Sequence, residues 1–269
     1  MSNLVTDPTE LWTRLDLDPA LLPAAHLAVK QFPLKVTHSY LQRMQLGNVN
    51  DPLLKQVLPL GLELNTHQDY VTDPLGENES NPIPGLLHKY RGRVLVTLTS
   101  ACAIHCRYCF RRHFPYADNI TGRPGWDKIL AYIASDSSIE EVILSGGDPL
   151  SVSDQLLEQF TQRLKSISHV KTLRLHTRLP IVLPSRVTTT LCEWLQALPF
   201  AVVMVVHCNH AQEIDNDVLH ALQRLRTSGV HLLNQSVLLR EVNDDVETLV
   251  QLCSTLFAAG VLPYYLHTL

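Results

Sequence analysis

Three cysteines within eight residues are the side chains whose types and spacing most directly suggest chemistry in this sequence. Cys102, Cys106 and Cys109 form a C-x3-C-x2-C pattern. Thiolates at this spacing can bind zinc or an iron–sulfur cluster, and both kinds of site usually take four protein ligands. No fourth cysteine is near, so a [4Fe–4S] cluster held here would leave one iron open to another ligand. A zinc site completed by His105 or His113 is the alternative.

A second motif that suits ligand binding is the turn Gly146-Gly147-Asp148. Glycines let a ligand approach the backbone closely, and the adjacent carboxylate can accept hydrogen bonds from a cationic amine. The same residue types also form ordinary turns. The other cysteines stand in apolar stretches typical of buried core, which predicts a packing role for Cys192, Cys208 and Cys253.

Apolar runs of strand length alternate with amphipathic segments from Arg93 onward. This alternation predicts repeated βα units and a parallel sheet, either closed into a barrel or open and doubly wound. The predicted strands are Arg93–Thr99, Glu141–Ser145, Thr172–Thr177, Val202–His207, Leu232–Leu239 and Leu262–Thr268. The predicted helices lie around Trp126–Ala134, Asp154–Ser166, Pro184–Ala197, Ala211–Ser228 and Asp245–Ala259.

Both arrangements of a parallel sheet collect ligands at the carboxyl ends of the strands. Polar residues follow or end the predicted strands at those positions: Cys102, Gly146-Gly147-Asp148, His176-Thr177-Arg178, His207-Cys208-Asn209-His210 and Gln235. We therefore expect the cysteine loop and the Gly-Gly-Asp turn to lie at the same edge of the sheet.

The residues before the first predicted strand follow a different pattern. Asp7 and Pro8 give a helix-start signal, because aspartate caps helices and proline suits the first helical position. The stretch from Pro33 to Pro84 mixes short apolar runs with Pro, Asn, Asp and Gly, which predicts short helices and turns. We expect a helical N-terminal extension over residues 1–87 with a structural role, followed by the core over residues 88–269.

The composition is typical of a globular enzyme rather than a nucleic-acid or membrane-surface binder. Of 269 residues, 45% are hydrophobic and 18% charged, and the formal net charge is −4. The first residues show no secretion signal, and no apolar window is long enough to span a bilayer. We expect a cytoplasmic protein whose partner is a small molecule.

The cysteine motif and the Gly-Gly-Asp turn together resemble those of the radical S-adenosylmethionine (SAM) superfamily. More specific motifs resemble the lysine 2,3-aminomutase family: Cys106–Phe114, Ser145–Leu150, His207–His210 and Asn234–Arg240. Within that family, Leu86–Tyr90 and Cys109–Tyr116 are most similar to the branch that serves β-lysylation of elongation factor P. The likeness runs from about Pro52 to Leu269.

The resemblance implies a partial (β/α)6 radical SAM barrel and an isomerase reaction, a 1,2 amino shift that converts L-lysine to (R)-β-lysine. It implies three cofactors: a [4Fe–4S] cluster, SAM as the source of a 5′-deoxyadenosyl radical, and pyridoxal 5′-phosphate (PLP). It also implies an electron donor for the cluster, self-association, and a separate ligase that attaches free β-lysine to elongation factor P.

The resemblance also implies roles for single residues. The cluster ligands are Cys102, Cys106 and Cys109. The residues that bind SAM are Gly146, Gly147, Asp148, His207 and Gln235. Arg111 binds the substrate α-carboxylate, since a guanidinium can bind such a group through two hydrogen bonds. Tyr90 and Arg93 match positions beside PLP.

One departure from the family pattern concerns the C-terminus. The family's PLP-binding lysine and the acids that hold the substrate side-chain amine match segments beyond Leu269, so we expect a truncated chain with no catalytic residue assigned within it. We expect this polypeptide, as given, to bind the cluster and SAM weakly and to lack turnover. A radical SAM enzyme without PLP is the remaining alternative, and it would not account for Arg111 or for the run Asn234–Leu239.

Overall fold

The computed structural model of the chain describes residues 4–30, 32–59, 71–120 and 122–268. Over these ranges the chain forms short N-terminal elements followed by a seven-stranded sheet with interspersed helices. The predicted α/β class is confirmed. Closure of the strands into a partial barrel stays a prediction, as does the division into an extension and a core.

The first elements are short helices and a two-stranded antiparallel ribbon. Their bounds are β1 Leu4–Val5, α1 Pro8–Leu15, α2 Leu22–Val29, β2 Val36–Thr37 and α3 His38–Leu41. The α1 helix begins where the sequence predicts it, because the Asp7 carboxylate accepts a 2.9 Å hydrogen bond from the backbone N–H of Thr9. Pro8 occupies the first helical position, where its missing N–H costs no hydrogen bond.

The main sheet contains the six predicted strands, each within two residues of its expected bounds. The strands are β3 Leu86–Tyr90, β4 Arg93–Thr97, β5 Glu141–Ser145, β6 Thr172–Thr177, β7 Ala201–His207, β8 His231–Val237 and β9 Leu262–His267. They lie side by side in chain order, and neighbours from β4 to β9 are parallel.

The additional strand β3 corrects the six-strand prediction. It pairs antiparallel with β4 across a tight turn in which Gly92 has φ +84°, a left-handed conformation that suits glycine. Leu86 and Leu87 are buried, whereas Lys89 and Tyr90 are exposed. The predicted boundary between residues 87 and 88 therefore falls inside a strand.

The remaining helices follow the strands, and all five predicted ones are present. Their bounds are α4 Tyr116–Asn119, α5 Gly122–Ser135, α6 Asp154–Leu164, α7 Leu179–Val182, α8 Thr189–Gln196, α9 Asn216–Thr227 and α10 Val246–Ala258. Two begin later than predicted, because single 3₁₀ turns precede α8 at Pro184–Arg186 and α9 at Ala211–Glu213. Within the described ranges, no helix has the length and apolarity needed to cross a membrane.

Strand alternation separates a tightly buried face of the sheet from a more accessible one. In β6, Leu173 and Leu175 are fully buried, whereas Arg174 and His176 between them are partly accessible. The parallel register brings the strand ends level, since His207 pairs with Gln235 of the next strand. Polar residues from neighbouring strands therefore meet on one face near the carboxyl edge.

The buried face belongs to one hydrophobic cluster that also includes N-terminal residues such as Val5 and Leu11. Two of the three isolated cysteines behave as predicted, since Cys192 and Cys208 are buried. The prediction for Cys253 is wrong. This residue is exposed on α10, because the apolar stretch that contains it continues onto the outer side of the helix.

Candidate cluster and substrate site

The cysteine loop follows β4 at the carboxyl end of the sheet, where the sequence predicts it. From Ser100 to Cys109 the chain forms no helix or strand. Two N-terminal segments hold the loop through its backbone. The N–H of His105 donates to the carbonyl of Lys35, and the N–H of Arg107 donates to that of Gln56, both at 2.9 Å. The N-terminal elements therefore help to set the position of the thiols.

The two glycines after β5 pack directly against the strand that leads to this loop. The N–H of Gly147 donates to the carbonyl of Thr99 at 2.9 Å. A Cβ at Gly147 would lie 2.6 Å from the carbonyl carbon of Ser100 and 2.7 Å from the Thr99 oxygen. Gly146 has φ +103°, and a Cβ there would collide with Thr97. The glycines allow the β5 turn to support the cysteine loop, and contact with SAM stays a prediction.

The three thiols are free and partly buried. Burial raises the pKa of Cys109 to about 11, and the charge of Cys106 adds to that effect. Burial also raises the pKa of Cys102 strongly, with further increases from the charges of Asp148, Cys106 and Cys109. Protonated thiols release their protons when iron binds, so the set fits a cluster with three cysteine ligands.

A zinc site at this loop, the alternative predicted from the sequence, would need a further protein ligand beside the three cysteines. Across the parts of the chain that the structure describes, no three His, Cys, Asp or Glu side chains are gathered tightly enough to hold one metal ion. The imidazole of His105, within the loop, is already engaged, since its Nδ1 lies 2.7 Å from the Pro33 carbonyl oxygen. Donors to one zinc ion crowd around a single centre, whereas cysteines of a cluster bind different irons and stand farther apart.

The carboxylate of Asp148 is buried and accepts hydrogen bonds from the protein. It accepts hydrogen bonds from Thr177 Oγ1 at 2.6 Å and from the backbone N–H groups of Arg178 at 2.7 Å, Leu150 at 3.0 Å and Leu179 at 3.2 Å. Burial raises the pKa of this carboxyl, and the hydrogen bonds oppose that increase. Asp148 thus joins the turns after β5 and β6, and its predicted contact with SAM stays a prediction.

A buried arginine contacts one of the cysteines. Nη1 of Arg178 donates to Sγ of Cys106 at 2.9 Å. Its Nη2 donates to Gln56 Oε1 at 2.6 Å, Glu213 Oε2 at 3.0 Å and Tyr40 Oη at 3.1 Å. The Glu213 carboxylate compensates the charge of the guanidinium. Arg178 therefore orients Cys106, and hydrogen bonds to ligand sulfurs are among the factors that set a cluster's reduction potential.

Two histidines stand beside each other on the accessible face of the sheet, with ring centroids 6.4 Å apart. Nδ1 of His207 lies 3.2 Å from the amide nitrogen of Gln235, so these two predicted SAM residues are brought together. Burial lowers the pKa of His207, and burial with the charges of Arg174 and Arg111 lowers the pKa of His176 to about 3. Both rings are neutral, and neither Nε2 has a hydrogen-bond partner among the described residues.

Arg111 is buried and reaches the carboxyl end of β5. Its Nη1 donates to Ser145 Oγ at 2.9 Å. Its Nε and Nη2 face the carboxylate of Glu77, with Nε 2.8 Å from Oε2 and Nη2 2.6 Å from Oε1. The predicted carboxylate-binding residue therefore already holds one carboxylate, and it lies next to the cysteine loop at the edge where a parallel sheet binds ligands.

Comparison with known proteins agrees with this arrangement. A family described as a 4Fe-4S single cluster domain matches residues 90–193, which contain all three cysteines and the Gly-Gly-Asp turn. The chain is 47% identical over its whole length to L-lysine 2,3-aminomutase of Escherichia coli K12, covering 79% of that protein. It is 45% identical to the Haemophilus influenzae protein of the same name, again over its whole length and covering 80% of the relative.

The chain belongs to the radical SAM lysine 2,3-aminomutase family. It shares 40% identity with the Clostridium subterminale member over 240 residues, which are 89% of this chain and 58% of the relative. The predicted family is confirmed, and with it an isomerase whose reaction uses a [4Fe–4S] cluster and SAM. The roles of individual residues within this aminomutase are not fixed by the likeness.

The residues predicted beside PLP lie at the other end of β4 from the cysteine loop. Arg93 begins that strand, and its Nε lies 3.3 Å from Oε2 of Glu141. Glu141 also pairs with Arg174 at 2.7 Å. Positive, negative and positive side chains therefore follow one another across β4, β5 and β6 near the amino ends of these strands. Tyr90 is exposed at the end of β3. The structure does not bring these two residues to the cysteine loop, and their role in this aminomutase stays a prediction.

Several residues that shape the site were given no individual role in the sequence analysis. Arg178 and Ser145 carried a signal, because each stands at the carboxyl end of a predicted strand. The sequence carried no signal for Glu77, Gln56 and Glu213, since each lies outside the strands. Folding brings each of them into contact with Arg111 or Arg178. In this aminomutase the supporting residues come from three separate regions of the chain.

Proposed function

We propose that the reaction served by this chain is the conversion of L-lysine to (R)-β-lysine by a 1,2 amino shift, and that the product serves β-lysylation of elongation factor P. The observation that carries the proposal is the placement of Arg111. Its guanidinium is buried at the carboxyl edge of the sheet, two residues after the last cysteine. The relatives named L-lysine 2,3-aminomutase support lysine as the substrate.

Arg111 binds the α-carboxylate of the amino acid, because two N–H groups on a planar guanidinium match two carboxylate oxygens. Cys102, Cys106 and Cys109 hold the cluster. The residues that bind SAM are Gly146, Gly147, Asp148, His207 and Gln235. The free Nε2 atoms of the histidine pair suit this role, since a buried ring nitrogen without a partner gains a hydrogen bond when a polar ligand enters.

Tyr90 and Arg93 contact PLP in this proposal, with the arginine facing the phosphate. When bound, the cluster with SAM would supply the hydrogen-abstracting radical, and PLP would supply its carbonyl chemistry for the substrate amine. The protein holds the carboxylate in one orientation and keeps water away from the reacting carbons. The proposal includes an electron donor for the cluster, self-association and a cytoplasmic location.

The cluster is tested by anaerobic reconstitution followed by iron and sulfide analysis. The wild-type chain should bind about four irons and show a broad visible absorption band. Cys106→Ala should lose most of the iron. Cys253→Ala is the matched control, because this cysteine is exposed on α10 and should be dispensable. Stoichiometric zinc without iron in the wild type would overturn the proposal.

Lysine recognition is tested by calorimetry on the reconstituted protein with SAM, a readout that does not depend on PLP attachment. Arg111→Lys should weaken L-lysine binding about tenfold or more, because lysine cannot offer two parallel N–H donors. Arg112→Lys is the control, since Arg112 is the exposed neighbour. Equal affinities of wild type and Arg111→Lys would exclude this arginine as the carboxylate ligand. Tighter binding of glutamate than of lysine would contradict the substrate.

A further inference from the structure

The ion pair between Glu77 and Arg111 is unusual in its burial. The two side chains are only 10% and 9% exposed, and the atoms approach to 2.6 Å. A buried guanidinium without a counter-charge is costly, so Glu77 allows Arg111 to stay buried in the free protein. Because Arg111 is the proposed ligand of the substrate carboxylate, a carboxylate already beside it must either compete with the substrate or assist it.

The edges of the guanidinium decide between these two roles. Glu77 binds the side edge, since its carboxylate faces Nε and Nη2. Ser145 Oγ accepts one hydrogen bond from Nη1. These contacts use three of the five N–H groups of Arg111 and leave one on each terminal nitrogen without a partner among the described residues. Two N–H groups on neighbouring nitrogens are enough to bind a second carboxylate, so the substrate does not need to displace Glu77.

The chain holds Glu77 firmly in this position. Its backbone N–H donates to Oδ1 of Asp73 at 2.9 Å, and the N–H of Asn78 donates to Oδ2 at 3.0 Å. These bonds lower the pKa of Asp73, which therefore stays charged and keeps the turn closed. Lys89 of β3 adds a third contact, because its ammonium donates to the Leu75 carbonyl in the same segment. These contacts hold the backbone segment that carries the Glu77 side chain.

We propose that Glu77 is a positioning residue for substrate binding, which holds the side edge of Arg111 so that the remaining donors grip the α-carboxylate of the amino acid. This inference rests on the proposed function of Arg111. Because Glu77 holds the Arg111 guanidinium in place before the substrate binds, binding does not have to order this long side chain. The pair is also neutral overall, which favours a zwitterionic amino acid over a ligand with a larger negative charge.

The test compares L-lysine and SAM binding by calorimetry in the reconstituted protein. Glu77→Ala should weaken L-lysine binding about tenfold, and Glu77→Gln about threefold, because glutamine keeps one acceptor oxygen and the side-chain length. SAM affinity and iron content should stay unchanged in both variants. Glu79→Gln is the matched control, since Glu79 is exposed two residues further along the chain and should leave both affinities as in the wild type.

Three results would overturn the inference. Unchanged lysine affinity in Glu77→Gln would show that the side edge needs no carboxylate, and this variant decides the matter if Glu77→Ala fails to fold. Tighter lysine binding would make Glu77 a competitor of the substrate. An equal loss of SAM affinity would assign Glu77 a general structural role. If Arg111→Lys weakens lysine binding while the Glu77 variants do not, the proposed function stands and the positioning role alone fails.

Discussion

The neutral ring of His176 makes a specific prediction about acid sensitivity. Burial, with the charges of Arg174, Arg111 and His267, lowers its pKa to about 3 in the folded protein. An unfolded histidine has a pKa of about 6.5. Between these two values the unfolded chain binds a proton that the folded chain does not, so the free energy of unfolding falls as the pH falls through this window. Above about pH 6.5 the effect fades, because the unfolded histidine also loses its proton.

The size of the effect follows from the two pKa values. Between about pH 7 and about pH 5.5, an unfolded histidine goes from about one quarter to about nine tenths protonated, whereas native His176 stays neutral. At about 1.36 kcal/mol per pKa unit, this difference lowers the free energy of unfolding by at most about 1.3 kcal/mol. Replacing the ring by asparagine, which does not titrate, should remove that amount from the pH dependence.

The measurement is urea unfolding of the metal-free, reduced protein, followed by far-ultraviolet circular dichroism at the two pH values. Wild type should lose about 1.3 kcal/mol more than His176→Asn between them. His220→Asn is the control, because His220 is exposed on α9 and should leave the wild-type difference intact. Equal losses in wild type and His176→Asn would refute the reasoning, since they would mean that the native ring takes up the proton.

Two further predictions concern the support of the cysteine loop. Gly147→Ala should lose at least half of the reconstituted iron, because its Cβ would strike the backbone before Cys102. Gly229→Ala, strained by φ +81° but with open space around it, should keep the iron. Glu213→Ala should lower the free energy of unfolding by about 3–5 kcal/mol in urea titrations, because it leaves the charge of Arg178 buried without compensation. A loss below about 1 kcal/mol would contradict this reasoning.

The strands of the sheet were predictable because each is an apolar run with its own local signature. β5 is an example: Val142 and Leu144 are buried, and the glycines follow directly. β3 was not predictable in the same way, since only Leu86 and Leu87 of its five residues are buried. Its pairing depends on the turn at Gly92 and on the neighbour β4, and such cross-strand contacts are not visible in a short window of sequence.

The predicted cysteines, His207, Gln235 and Arg111 lie where the order of strands and loops places them. What the sequence did not show was how their polar atoms are partnered. Glu77 lies 34 residues before Arg111 in a segment of turns, and only the folded chain brings the two together. The assignment of Asp148 to SAM came from the family resemblance and from its place after β5, whereas three of its four hydrogen bonds to the protein depend on the turn after β6.

The contacts around the cysteine loop also revise the structural role expected for the N-terminal extension. A loop without helix or strand must be ordered by its neighbours, because fixing each backbone residue costs about 1–2 kcal/mol in entropy. Backbone bonds from Lys35 and Gln56 supply part of that order, and Gln56 also reaches Arg178, which contacts Cys106. The extension thus helps to position the thiols in two ways, through backbone hydrogen bonds to the loop and through the contact of Gln56 with Arg178. Substitutions within it should therefore affect cluster retention even though it contributes none of the three cysteines.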